Sequence, residues 1–381
     1  MLFPFRPDVP ILLRPDFVKG DMTGDNTGNV AASRIASPAL PAIFSRYKRW
    51  VEQELACAVP GTPGFELHTV LRYHLGWVDR HGTPAAEPVS QGKALRPTLC
   101  LFACEALGGD PSRAGPAAAA LELIHNFSLL HDDIQDRDLE RRHQATAWSV
   151  WGEPKALVAG NAMQCLGDLA MLSTTRYGVA AETALSVSHR LTESYLEMIE
   201  GQCLDLDFES RTAITTQDYL HMIACKTGAL IRCSLEAGAA LGADDPAAAA
   251  AFARFGVYLG RVFQVRDDYL GIWGDQGTTG KAVGNDIRRR KKSFPVVYGL
   301  EHAADLARRR MLDIYKQEQL SEADVAEVLE VLEESGAPQT SQQLTLENAG
   351  RALQELSAMT LPPWARAEAE QLVDFLARRE F

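Results

Sequence analysis

From about Leu40 onward, apolar residues recur at intervals of three and four and almost nowhere at two. The segments "ALPAIFSRYKRWVEQELACAV", "KALRPTLCLFACEALGG", "GPAAAALELIHNFSLLHDDIQD", "ETALSVSHRLTESYLEMIEGQCLDL", "TTQDYLHMIACKTGALIRCSLEAGAALG" and "PAAAAAFARFGVYLGRVFQVRDDYLGIWG" all follow this rule, with Gly, Pro, Asp or Asn at their ends. Such a period does not suit a pleated strand, and no alternating runs bounded by hairpin turns interrupt it. The chain is therefore predicted to be all-α. Helices between about 115 and 270 are apolar around most of their circumference and belong at the centre, with the more amphipathic ones outside. No repeat of fixed period points to a solenoid. The later segments "SEADVAEVLEVLEESG" and "PPWARAEAEQLVDFLARREF" read as structural amphipathic helices.

With 381 residues and 46% apolar content, a single domain over 39–381 has ample material for a core. Residues 1–38 carry Pro4, Pro7, Pro10 and Pro15 and then "GDMTGDNTGNVAAS", which has no sustained period; a flexible leader is expected, with Met22 as an alternative start. No stretch approaches eighteen unbroken apolar residues, so neither a membrane span nor a signal peptide is expected. A net charge of −12 argues against a nucleic-acid binder. Any anionic ligand must then meet a local cluster of cations. The seven cysteines are odd in number, lie mostly in apolar helical patterns and form no Cys-x-x-Cys pair, which suggests buried thiols in a reducing cytoplasm.

Two helix ends carry unusual acid. In "HDDIQD", Asp132 and Asp136 stand four apart and project from one helical face, a spacing that suits a bridging divalent metal. Magnesium accepts such a site, since it takes a few carboxylates and completes its shell with water and phosphate oxygens. In "FQVRDDYLGIWGD", Asp267 and Asp268 again end an apolar helix. A solvated helix end is the simpler reading of any one Asp pair, and an EF-hand is excluded by the lack of alternating acidic positions with Gly and a final Glu. Two such ends beside a core are costly unless metal or cations neutralise them.

Cations are present in number. "GKALRP" places Lys93 and Arg96 three apart, as if on one helical face; Arg141 and Arg142 follow the first acidic cluster; Lys226 of "KTG" interrupts an apolar helix; and "TGKAVGNDIRRRKK" adds Lys281, Lys291 and Lys292, with Arg288 to Arg290 read as solvated. His125 lies two turns before Asp132 on the same face. Cations converging with metal make a diphosphate site, because phosphoryl charge is best spread over several donors.

In order, "GKALRP", "LIHNFSLLHDDIQDRDLERRH", "KTG", "GQCLDLDFE", "FQVRDDYLGIWGD" and "TGKAVGNDIRRRKK" make the chain resemble a trans-isoprenyl diphosphate synthase of the polyprenyl synthetase family, over about residues 45–375. The likeness is greatest to bacterial geranylgeranyl diphosphate synthases. It implies a single-domain orthogonal helix bundle around a deep central cavity, usually a homodimer. It implies catalysis by Asp132, Asp136, Lys226 and Asp267, with magnesium on Asp132, Asp136 and Asp267. The allylic diphosphate would be held by Arg141, Lys226, Thr227, Gln264, Lys281 and Lys291, and isopentenyl diphosphate by Lys93, Arg96, His125 and Arg142. The implied product is geranylgeranyl diphosphate, with bulky Phe127 and small Ser128 setting chain length.

The chain departs from the family pattern in three places. Ala94 stands where an Arg is usual, Gly271 where a third Asp is frequent (a form ending in Asp275 also occurs), and Asn161 where Asp is usual as a partner to cationic residues. Two competing readings use the same scaffold: a terpene cyclase, which needs no isopentenyl diphosphate, and a non-catalytic partner subunit. Lys93, Arg96, His125 and Arg142 speak against the first, and the full charge set against the second.

Overall fold

Alanine decides where the centre of the fold lies. In the computed structural model, which describes residues 40–85, 92–211, 213–274 and 283–380, the run Ala117 to Ala120 is wholly buried. It belongs to helix α4 (Pro111–Gln135), whose start is fixed by Asp110 accepting from Ser112 N and by Pro111 in the first turn. Side chains that end at Cβ let neighbouring helices approach closely. Those neighbours are α3 (Leu95–Ala106) and α6 (Glu153–Leu172).

Before them come α1 (Ala42–Ala58) and α2 (Glu66–His74). Between α4 and α6 lie a small hairpin, β1 (Glu140–Arg141) with β2 (Gln144–Ala145), and α5 (Ala147–Trp151). After α6 come a 3-10 turn (Ser173–Tyr177), α7 (Ala181–Ser210), α8 (Thr216–Ile223), a π turn (Ala224–Gly228), α9 (Ala229–Gly242) and α10 (Pro246–Trp273). The rest comprises α11 (Asn285–Arg288), α12 (Phe294–His302), α13 (Asp305–Tyr315), α14 (Glu322–Glu334), α15 (Ala337–Ser357) and α16 (Pro363–Arg378).

The main core joins α1 to α7, α9, α10, α15 and α16 through residues such as Leu99, Phe102, Leu121, Ile124, Leu230, Phe252 and Phe255, all fully buried. Each such side chain contributes about 1.5–3 kcal/mol on burial. Contact between α3 and α9 depends on Gly238 and Gly242, where a Cβ would overlap the backbone of Cys100 and Cys104. Smaller clusters hold the later helices: Ile272, Ile287, Val296, Met311 and Leu332 in one, and Phe208, Tyr219, Val265 and Phe294 in another. Both include residues of α10, so that helix links the core to the satellites.

The all-α expectation holds, apart from the two-residue strands of the hairpin. Ala94 adopts a left-handed conformation, φ 44°, and α3 begins only at Leu95. Lys93 therefore precedes the helix and shares no helical face with Arg96, contrary to the reading from spacing. Three cysteines, Cys57, Cys165 and Cys203, are exposed rather than buried; all seven are free thiols. No described helix is long and apolar enough to cross a membrane. The leader with Met22, together with Asp275 and Lys281, lies outside the described residues.

Candidate active site

Asp132 lies in the last turn of α4, and Asp136 caps that helix, its N–H donating to Asp132 O at 2.8 Å. Burial raises the Asp132 carboxyl above its usual range; Lys226 opposes the shift and Asp136 adds to it. Lys226 reaches this point on the π turn, where the wider helical winding meets α7 at Gly201. A Cβ at Gly201 would overlap the backbone of Cys225 and Lys226, so glycine permits the approach. Lys226 Nζ pairs with Asp205 Oδ2 at 2.6 Å. Burial works against this ammonium, but Asp205, Asp132 and Asp136 outweigh it and raise its pKa.

The π turn is tied to α10 by side chains. Thr227 Oγ1 donates to Gln264 Oε1 at 2.7 Å, and Gln264 Nε2 donates to Asp268 Oδ1 at 2.9 Å. Asp268 also accepts from Tyr219 OH at 2.5 Å and Phe294 N at 3.1 Å. Burial pushes its carboxyl up to about 7 against these three donors. Asp268 is thus a brace between α8, α10 and α12, whereas its neighbour Asp267 keeps about half its side chain exposed, at 53%. Asp267 Oδ1 faces Arg379 Nη2 at 3.0 Å, and Arg379 in turn donates to Phe263 O. The helix runs on past both to Trp273. At Gly271, a Cβ would overlap the Asp286 carboxylate, so a carboxylate from α11 occupies the space beside the missing third Asp.

A second group of cations gathers around α4. Buried Glu122 lies close to Arg96 and Arg142, and Asn126 Nδ2 donates to Glu122 O at 2.8 Å and Oε1 at 3.2 Å. Burial raises the Glu122 carboxyl, and the two arginines oppose it. His125 is held neutral by burial and then by Arg96, Arg142 and Arg141. Arg141 Nε donates to Asp133 Oδ1 at 2.6 Å; burial pushes that carboxyl up to about 6. Arg142 and His143 form the two-residue turn of the hairpin with φ 53° and 63°, the paired left-handed geometry of a type I′ turn. Arg142 leans on Gly92, where a Cβ would stand 2.8 Å from Nη2.

Lys93 stands between the two regions. Its Nζ lies 4.9 Å from the centre of the Phe375 ring, and its pKa is pushed down to about 8 by burial and Arg379, with Asp267 opposing. Lys291 is exposed after α11, while Lys292 donates to Phe208 O and Glu209 O and acts as a structural tie. Phe127 is buried and meets the His131 ring edge-on at 5.0 Å, and Ser128 Oγ donates to His125 O at 2.8 Å.

Some residues behave differently from the sequence reading. Arg288 pairs with Glu322 at 2.6 Å, Arg289 with Asp138, and Arg290 Nη1 donates to Gln317 O at 2.8 Å. Arg289 and Arg290 are exposed, as the solvated reading expects, and all three arginines also pin α11 to its surroundings. Asn161 is exposed on α6 and makes no hydrogen bond to the cations among the described residues. Asp205, Glu122 and Arg379 went unassigned from sequence. Asp205 lies in "GQCLDLDFE", four residues after Gly201 and one turn along α7, and that motif is the sequence signal that could have found it.

The donors at the two acidic ends are all carboxylate oxygens, and among the described residues no three acidic, His or Cys side chains already close on a common point. That chemistry fits magnesium, which would draw its remaining ligands from water and phosphate.

The family model for polyprenyl synthetase matches residues 81–332. The chain belongs to the polyprenyl synthetase family. It is 36% identical over 317 residues to a (2E,6E)-farnesyl diphosphate synthase of Mycobacterium bovis, covering 82% of this chain and 86% of that protein. It is 43% identical over 241 residues to a geranylgeranyl diphosphate synthase of Mycobacterium tuberculosis, covering 63% and 67% respectively. A polyprenyl synthetase structure from Streptomyces coelicolor superposes with a TM-score of 0.81 at 35% identity, over 88% of this chain and 98% of that one. This polyprenyl synthetase is accordingly an isoprenyl diphosphate synthase, a prenyltransferase with the all-α isoprenoid synthase fold.

Proposed function

We propose that the chain condenses an allylic diphosphate with isopentenyl diphosphate to give geranylgeranyl diphosphate. The observation that carries this reading is the presence of two separate anion-directed regions: the paired acidic ends with Lys226, and the cluster of Arg96, His125 and Arg142 with Lys93 beside it. A cyclase would need only the first. Asp132, Asp136 and Asp267 would hold magnesium, which when bound supplies positive charge to the departing diphosphate.

Lys226 and Arg141 add fixed charge there, with Thr227 and Gln264 holding the turn in place and Lys281 and Lys291 as further partners of the allylic diphosphate. The allylic C–O bond breaks and its electron pair leaves with the diphosphate. Arg96, Arg142 and Lys93 hold the isopentenyl anion, and neutral His125 offers a hydrogen bond rather than charge. The isopentenyl double bond attacks the allylic carbon, and a proton passes from the new cation to the released diphosphate. Apolar walls exclude water that would otherwise capture the cation.

Product length rests on Phe127 and Ser128. The relatives include farnesyl, geranylgeranyl and geranylfarnesyl diphosphate synthases, and one aromatic next to a small residue supports the middle length. A second copy of the chain is expected to cover Leu157, Val158, Leu169 and Leu172 on α6 with Leu185 and Leu196 on α7, each 48–68% exposed. A homodimer in the cytoplasm is the corresponding state.

Incubation with magnesium, labelled isopentenyl diphosphate and allylic primers of increasing length tests the reading. A linear twenty-carbon diphosphate is expected. A hydrocarbon formed from geranylgeranyl diphosphate alone would indicate the cyclase, and no turnover of any primer would indicate a non-catalytic subunit.

A further inference from the structure

Arg379 closes α16, its backbone N–H donating to Phe375 O at 2.8 Å, and from there the residue fastens onto one face of α10. Arg266 Nε donates to Arg379 O at 2.8 Å, Arg379 Nη2 donates to Phe263 O at 3.2 Å, and the guanidinium carbon stands 4.5 Å from the centre of the Phe263 ring. Residues 263, 266 and 267 are three and four apart and share that face, so these contacts carry the guanidinium one turn along α10 to Asp267. There Nη2 meets Oδ1 at 3.0 Å.

The pair is lopsided. Arg379 leaves 5% of its side chain exposed and Asp267 leaves 53%, so the cation is enclosed while the carboxylate stays open to solvent. A small hydrated cation can approach Asp267 by that open side. It would then face the guanidinium across a single carboxylate, and like charges so placed repel, the more so where water is excluded. Lys93 adds to the conflict. Its Nζ lies 4.9 Å from the centre of the Phe375 ring, and its charged form, opposed first by burial, is opposed further by Arg379 and favoured by Asp267. Two cations thus share one carboxylate. At the first acidic end the counter-cation has a carboxylate of its own, since Lys226 pairs with Asp205 at 2.6 Å. Arg379 has no such reserve: among the described residues its ion pair is with Asp267 itself.

We propose that Arg379 is an exchangeable counter-cation for Asp267: it holds the carboxylate while no divalent cation is bound and gives it up, loosening the end of α16, when one arrives. The proposal rests on the reading that Asp267 is a metal ligand. An order of events follows from the contrast between the two ends. Asp132 and Asp136 can take a divalent cation while Lys226 keeps Asp205, whereas Asp267 must exchange its partner, so the second end binds more weakly than the first when no substrate is present. With Asp267 withdrawn, Arg379 and Lys93 face each other uncompensated, and their repulsion drives the end of α16 outward until an anion joins them.

Two measurements on the full chain test this, with manganese(II) alone as the probe and the free ion read by its electron paramagnetic resonance. Arg379→Gln should bind manganese about fivefold more tightly at the second acidic end, the scale of one ion pair, and Asp267→Asn should lose that site. In the unmodified protein, amide hydrogen exchange over residues 376–380 should quicken about threefold or more when manganese is added, as the hold on Asp267 is given up. In Arg379→Gln the same amides should exchange fast with or without metal. Equal manganese affinity in Arg379→Gln and the unmodified protein overturns the proposal. So does tighter binding with exchange unmoved by metal, because the charge would then act from a distance without yielding its place. If Arg379→Gln fails to fold, exchange in the unmodified protein decides. Should Asp267→Asn bind manganese as the unmodified protein does, the reading of Asp267 as a metal ligand fails and the proposal with it. If Asp267→Asn loses the site while Arg379→Gln matches the unmodified protein, the proposal alone fails.

Discussion

The two acidic helix ends divide their labour in the same way. At each, one Asp of the pair is left less enclosed and the next is buried into scaffold: Asp132 beside Asp133, Asp267 beside Asp268. Asp133 anchors Arg141, and Asp268 gathers Tyr219, Gln264 and Phe294. The ends differ in how their free carboxylates are countered. On α4, Asp132 and Asp136 meet Lys226, a cation supplied by the π turn and restrained by Asp205. On α10, Asp267 stands without a third Asp and meets Arg379, from the distant end of the final helix region. Adjacent identical residues can thus have opposite duties, decided by which one a neighbouring helix covers.

That division can be broken most sharply at the members not tied into the scaffold. Asp132→Ala should cut turnover by at least about 10³-fold with little loss of stability, measured by label incorporation and by denaturant unfolding. Normal turnover in this variant would remove the metal assignment. At the buried members the balance reverses: Asp268→Asn should lower unfolding free energy by about 1–3 kcal/mol, because an amide presents donors where three donors already point inward. Retained stability with lost turnover would show that Asp268 belongs to the chemistry after all. Gly271→Asp, which restores the acid frequent in the family, should destabilise by about 1–3 kcal/mol rather than help, as its side chain must displace the Asp286 carboxylate. A gain in both stability and rate would contradict the overlap.

The smallest expected effect lies between the two ends, at Lys93. With its pKa pushed down to about 8, Lys93 is charged below that pH and neutral above it. Its proposed ligand, isopentenyl diphosphate, is an anion, so kcat/KM for that substrate should fall as pH rises through about 8. Lys93→Arg should move that limb upward, because guanidinium stays charged. Lys93→Ala should remove the limb and raise KM about tenfold at neutral pH, roughly 1.4 kcal/mol of binding. An unchanged alkaline limb in both variants would assign it to another group.

Much of this arrangement was legible before any coordinates. Helical period alone exposes α4 and α10, and the four-residue spacing of Asp132 and Asp136 states their common face. Resemblance supplied the partners that spacing cannot. The rest depends on contacts between residues far apart in the chain. Nothing near Asp268 announces Tyr219 or Phe294, and nothing near Asp267 announces Arg379. The left-handed Ala94 carries no glycine signature, which is why spacing alone puts Lys93 on a helix it precedes. Likewise the π turn that presents Lys226 has an ordinary helical composition, and its signal lies elsewhere, in Gly201 on α7.

The hairpin turn has a further consequence for anyone seeking a hardier enzyme. Arg142 and His143 occupy backbone conformations that Asn and Gly adopt with far less strain, at a cost of order 1–3 kcal/mol each for ordinary residues. A search for thermostable variants, scored on folding alone, should converge on this loop and replace both. At position 143 that gain would be free. At position 142 the same substitution would delete an arginine proposed to hold isopentenyl diphosphate, so on that proposal the most attractive stabilising change in the loop and the loss of its function coincide at one residue.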